Sequence, residues 1–126
     1  MSVASGYADL LYKELAAVGD TWYTNLQVFL DENGAIAVSS GPARKLAEHI
    51  TAIVAMASIP ELIPSPEYQV RCRRRPGRKP CQGIIEADFD PEDYRIIWWC
   101  PVCDDRGYIS NWQGSMWDLS EAGKFH

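Results

Sequence analysis

Apolar and polar positions alternate along this chain with two different periods, and the change comes near the middle. Tyr7, Leu10, Leu11, Leu15 and Val18 fall on one face at spacings of three and four, which predicts a helix over residues 6–18. Ser5 is placed to cap its start and Gly19 lies just past its end. Residues 21–31, "TWYTNLQVFLD", fit two patterns. Trp22, Leu26, Phe29 and Leu30 suit a helix behind an Asp20 cap, and Leu26, Val28 and Leu30 suit a strand. Helix is the expectation adopted here. Asn33-Gly34 serves either outcome, as a helix C-cap or as a hairpin turn into "AIAVS". The clearest helix covers 42–57, where Ala43, Leu46, Ala47, Ile50, Ile53, Val54 and Ala57 make an apolar stripe. Ser40 or Gly41 caps it and Pro42 suits its first turn.

"SIPELIPSPEY" then ends the helical pattern, because closely spaced prolines remove N–H donors and restrict the residues before them. Beyond it, "GIIEADF" and "YRIIWWC" are rich in β-branched and aromatic residues, and "DPED" lies between them. That is the signature of a β-hairpin, and "GYISNW" reads as a third strand. Trp98 and Trp99 should alternate faces, one inward and one outward. The expected class is α+β: two or three N-terminal helices packed on a C-terminal zinc-ribbon-like antiparallel hairpin with a third strand. The divisions are a helical region 1–58, a proline-rich linker 59–68, a ribbon-like region 69–113 and a tail 114–126.

The chemistry concentrates where the period changes. Cys100 and Cys103 form "CPVC", a spacing that lets two sulfurs converge on one ion. Cys72 and Cys81 have eight residues between them, more than a compact metal knuckle uses, but Pro76-Gly77 at the centre supplies a turn. A thiol pair, a hairpin, a thiol pair and a strand make the layout of a zinc ribbon. Cys72, Cys81, Cys100 and Cys103 are therefore the expected ligands of zinc, and iron suits the same four thiolates. A redox or treble-clef "CPVC" would open a helix, whereas "DDRGYISNW" reads as turn and strand. The first twenty residues lack the basic n-region of a signal peptide, and no apolar run reaches transmembrane length. A cytoplasmic protein with reduced thiols is expected, which favours metal over disulfides.

Charge changes the picture once more. The chain has a formal net charge of -5, yet half of its twelve Lys and Arg lie in residues 71–79. Arg71, Arg73, Arg74, Arg75, Arg78 and Lys79 have three uses open to them. They can hold phosphate groups of a nucleic acid, or meet an acidic protein partner, a second copy of this chain included. They can also offset the negative metal centre together with Glu86, Asp88, Asp90, Glu92, Asp93, Asp104 and Asp105. Lone His49 beside the helix stripe reads as a helix-flank residue. Nothing in the motif content argues for catalysis: no H-E-x-x-H, phosphate loop, G-x-S-x-G or zinc deaminase pattern is present. A small metalloenzyme with an open zinc position is the alternative to a binding or adaptor module.

The strings "RCRRRPGRKPC", "WWCPVCDDRGYISNW" and "QGSMWDLS" resemble a group of small bacterial proteins of unassigned function. The resemblance covers about residues 70–120, with a fainter likeness around "GPARKLAEHITAIV". It implies that the four cysteines act as a set. Asp104 departs from the pattern by standing where such a knuckle often has glycine, a position that needs φ > 0 and that Asp tolerates better than most residues.

Overall fold

The computed structural model of the protein describes residues 21–60 and 66–121. They form an α+β unit in which one helix, α1 (Gly41–Ser58), lies on a four-stranded mixed sheet. The strands are β1 (Thr21–Asn25), β2 (Glu86–Phe89), β3 (Ile96–Trp99) and β4 (Arg106–Ser110), in the order β1-β4-β3-β2. β2 pairs antiparallel with β3, and β3 with β4, as the aromatic and β-branched runs led us to expect. The sheet is larger than a hairpin with one added strand, because β1 pairs with β4 in parallel, from Thr21 opposite Arg106 to Asn25 opposite Ser110.

That pairing corrects the helix expected over 21–31. β4 has a free edge, and five residues of β1 fill it with ladder hydrogen bonds that no isolated propensity reveals. Thr24 points to the covered face and is buried, while Tyr23 and Asn25 on the other face are exposed. The strand ends where the Asn25 side chain accepts a hydrogen bond from the Gln27 N–H and starts a 3-10 turn, Leu26–Phe29. The hairpin reading of Asn33-Gly34 is the one realised. Leu30 bridges Ile36, Asp31 N–H donates to Ala35 O at 2.8 Å, and Gly34 adopts φ 82°. The expected helix over 6–18 lies outside the described residues. Among the described residues there is one α-helix, not the two or three expected.

α1 matches its expected bounds within a residue. Ser40 precedes it without a side-chain cap bond, and Pro42 sits in the first turn. Its stripe buries Ala43, Ala47, Ile50, Ile53 and Val54, with Leu46 half-buried, and it packs on β2 and β3. Leu26, Phe29, Ile96 and Ile109 complete a core that also takes in Trp98 and Trp112. Trp98 is buried and Trp99 half-buried on the opposite face, so the tryptophan pair splits as its alternation predicts. Gly107 is required between Trp22 and Trp98. A Cβ there would meet Trp22 O at 2.7 Å and the Trp98 indole at 2.9 Å. At the tail, Trp112 donates to Tyr94 O, and Ser58 at the end of α1 accepts from the Leu119 N–H. No described helix is long and apolar enough to cross a membrane.

Candidate metal centre

Two stretches of irregular backbone carry the four thiols to one end of the sheet. The first begins as a short antiparallel ribbon in which Arg71 bridges Ile84. Cys72 N–H donates to Gly83 O, and Ile85 N–H donates to Val70 O. The chain then makes an excursion that closes on itself. Cys81 N–H donates to Arg74 O at 2.9 Å, and inside that loop Arg78 N–H donates to Arg75 O. Gly77 and Arg78 both adopt positive φ, 63° and 70°, which reverses the chain sharply beside Pro76. The eight-residue spacing is therefore no obstacle: a nested turn returns Cys81 to the side of Cys72.

The second stretch is the turn between β3 and β4. Cys100 N–H donates to Asp105 O at 2.7 Å, and Asp104 N–H donates to Cys100 O. Asp104 has φ 67°, the left-handed conformation expected of it. No helix follows "CPVC"; β4 does.

Together these turns place the Sγ atoms of Cys72, Cys81, Cys100 and Cys103 all within 4.8 Å of one another. Two pairs cross between the stretches at short range, with Cys72 to Cys103 at 3.6 Å and Cys81 to Cys100 at 3.7 Å. A tetrahedron of thiolates around zinc at about 2.3 Å has edges of about 3.8 Å, whereas a disulfide is about 2.0 Å long. All four cysteines are free thiols. Each sulfur also accepts a backbone N–H from two residues on. Arg74 serves Cys72, Gly83 serves Cys81, Val102 serves Cys100 and Asp105 serves Cys103. Such donors favour thiolate over thiol. Gly83 cannot be larger, because a Cβ there would run into Cys100 Sγ and press on Val102.

The donor set fits a soft or borderline metal that takes four sulfurs. Burial pushes the Cys72 and Cys103 thiols up. It also opposes ionisation of Cys100, but the N–H groups of Cys103 and Val102, with the neighbouring thiols, outweigh it and hold Cys100 below the ordinary thiol range. Three buried thiols and one partly buried one would be costly to ionise together without a cation among them.

The basic residues divide. Arg74 Nη1 donates to Asp105 Oδ1 at 3.0 Å, and the same oxygen accepts from Trp22 Nε1 at 3.1 Å. Asp105, with its side chain only 8% exposed, thus ties the arginine loop and β1 to the second thiol turn. The hairpin acids Asp90 and Asp93 pair with Arg95 instead, and Asp104 pairs with Arg106. Among the described residues, Arg71, Arg73, Arg75, Arg78 and Lys79 have no carboxylate within ion-pair distance. The Arg75 guanidinium donates to Arg78 O and so stiffens its own loop. Among the described acids, neutralisation therefore accounts for one arginine of the stretch. Trp22 and Thr24 at this end were not singled out from the sequence, and Asp105 was named only as one of seven acids open to the arginines. The only signal for the first two was an unexplained tryptophan in an ambiguous segment.

Comparison with protein-family models, curated proteins and solved structures yields no match, so the site is read from its own geometry.

Proposed function

We propose that this chain is a zinc-stabilised binding or adaptor module, of zinc-ribbon type at its thiol end, and not a catalyst. Cys72, Cys81, Cys100 and Cys103 are its ligands, and a reducing cytoplasm keeps them available. The observation that carries the reading is the convergence of four thiols, each with its own N–H donor, at tetrahedral spacing. Four protein ligands fill a tetrahedral zinc shell. That leaves no position for a substrate or an activated water, which argues against the open-site metalloenzyme. When bound, the metal supplies a cross-link between the two irregular stretches. The protein supplies the thiolates, their orientation, and shelter from water. The exposed basic face of the loop 71–79 is the surface offered to a partner.

Elemental analysis of protein purified under reducing conditions tests this. One zinc per chain is expected, with iron as the outcome that keeps the site and changes the metal. Cobalt exchanged into the site should show the visible absorption of a tetrahedral tetrathiolate. Cys100→Ser should release the metal. Four titratable thiols in metal-free, fully folded protein would overturn the proposal.

A further inference from the structure

Beside the metal centre, where the arginine loop faces α1 and the β1 edge, lies a pocket of about 230 Å3. Its walls are chemically sorted. Leu46 and Ile50 of α1 make an apolar side, Trp22 and Trp98 supply indole rings, and Arg73, Arg74 and Arg75 stand along the rim. Asp105 is the one acid among the described lining residues, and Arg74 already neutralises it. The remaining charge in the pocket is positive and comes from Arg73 and Arg75.

Two buried polar atoms point to a ligand. Thr24 and Trp98 both line the pocket and are each 3% exposed. Thr24 Oγ1 and Trp98 Nε1 nevertheless have no hydrogen-bond partner among the described residues. Buried polar groups without partners are rare enough to require an explanation. Thr24 shares its strand face with Trp22. The Trp98 Nε1 lies over Gly107, the residue that stands between Trp98 and Trp22 across the sheet. Both atoms are thus placed toward the pocket side of the sheet. His49 completes the wall, edge-on to Trp98 with ring centroids 6.3 Å apart. Burial, and then the Arg73 charge, lower its pKa to about 4, so at neutral pH it is an uncharged donor and acceptor.

We propose that this pocket binds a small organic anion built on a single flat ring, with its acid group on Arg73 and Arg75. A ring acceptor atom reaches Thr24 Oγ1 or Trp98 Nε1 after a small side-chain shift, since both atoms are closed to solvent without a ligand. The size supports one ring: a cavity of about 150 Å3 holds benzene, and the added volume suits one acid group. Excess donors call for an acceptor-rich ligand, planar guanidinium groups match carboxylate or phosphate, and the indoles match a ring. The acid can be an aromatic carboxylate or the phosphate of a nucleoside monophosphate, of which the pocket would hold the base and leave the phosphate at the rim.

Titration of the zinc-loaded protein with nicotinate, benzoate, uridine monophosphate and inorganic phosphate tests this, read by tryptophan fluorescence and calorimetry. Ligands of this size bind with Kd of roughly 0.1–1 mM. Saturation by nicotinate more tightly than by benzoate assigns a carboxylate ligand with a ring acceptor. Saturation by the nucleotide more tightly than by phosphate assigns a nucleotide. Arg73→Ala should weaken binding about tenfold, and Leu46→Trp should abolish it by filling the pocket. Zinc content is read in every arm, so failure of the pocket and failure of the metal proposal are distinguishable. The proposal is overturned by no saturable response to any probe at about 10 mM. It is equally overturned if Leu46→Trp leaves binding unchanged. A single-stranded oligonucleotide bound equally by wild type and Leu46→Trp, with no small-probe binding, would place the arginines on an open nucleic-acid surface instead.

Discussion

The two ends of this molecule are held by different forces. At the helix–sheet end, Leu26, Phe29, Ile53, Val54, Ile96 and Ile109 are fully buried and interlock across α1, the 3-10 turn after β1 and two strands. Along the stretch 72–82, the only buried side chains are Cys72 and Cys81, and the residues between them are exposed. The first region folds because burying apolar surface outweighs ordering the chain. The second orders a loop of repelling cations with a handful of backbone hydrogen bonds and almost no apolar burial. A single ion shared by four thiolates can supply what the loop lacks, since metal binding there is folding free energy. Cys72, Cys81 and Cys100 are themselves buried with the apolar core, while the loop between the first two stays exposed. On the proposed reading, a metal held by them would staple the loop that hydrophobic packing does not reach.

Stripping the metal should expose the contrast most strongly. With chelator and reductant present, the amide protons of Cys72 and Cys81 should exchange at least about a hundredfold faster, while those of Ile53 and Val54 stay protected. Equal acceleration at both ends would mean that one cooperative unit spans them and that the contrast is not real. Ile53→Ala works from the other side. Ile53 is fully buried on α1, and its truncation should cost about 2–5 kcal/mol in denaturant unfolding, with one metal still bound per chain. A cost well below 1 kcal/mol would show that the helix is not part of the core that holds the sheet. Gly83→Ala is the smaller and more local change. Its methyl group would displace Cys100 Sγ, so metal affinity should fall about 10–100-fold while the unfolding midpoint of α1, followed by helical circular dichroism, moves little. Unchanged affinity in a competition with a metal indicator would show that the ligand loop shifts freely.

Much of this arrangement is a property of neighbouring residues and was legible as such. The stripe from Ala43 to Ala57 repeats within one element, so it announces α1 without help from the rest of the chain. The runs "EADF" and "IIWW" carry their own β preference, and Asp104 after "CPVC" carries the need for φ > 0. The type and number of the thiols were equally plain, and with them the kind of metal they suit. What lay beyond the sequence is everything decided by contact across long separations. Residues 21–31 fit both periods, with the strand pattern on Leu26, Val28 and Leu30, yet it is 21–25 that became a strand because β4, more than eighty residues later, has an edge to fill. The return of Cys81 to Cys72 depends on a nested turn with Arg78 in a conformation its residue type does not favour. Arg74 looked like five other cations until Asp105 accepted from it, and Trp22 gained its place through the same carboxylate. His49 read as a helix flank, and the arginine rim, two indoles and Thr24 make it one wall of a pocket. Local period and residue chemistry act over a few residues and can be read along the chain. Edge pairing, shared hydrogen-bond acceptors and cavity walls join residues that only the folded chain brings together.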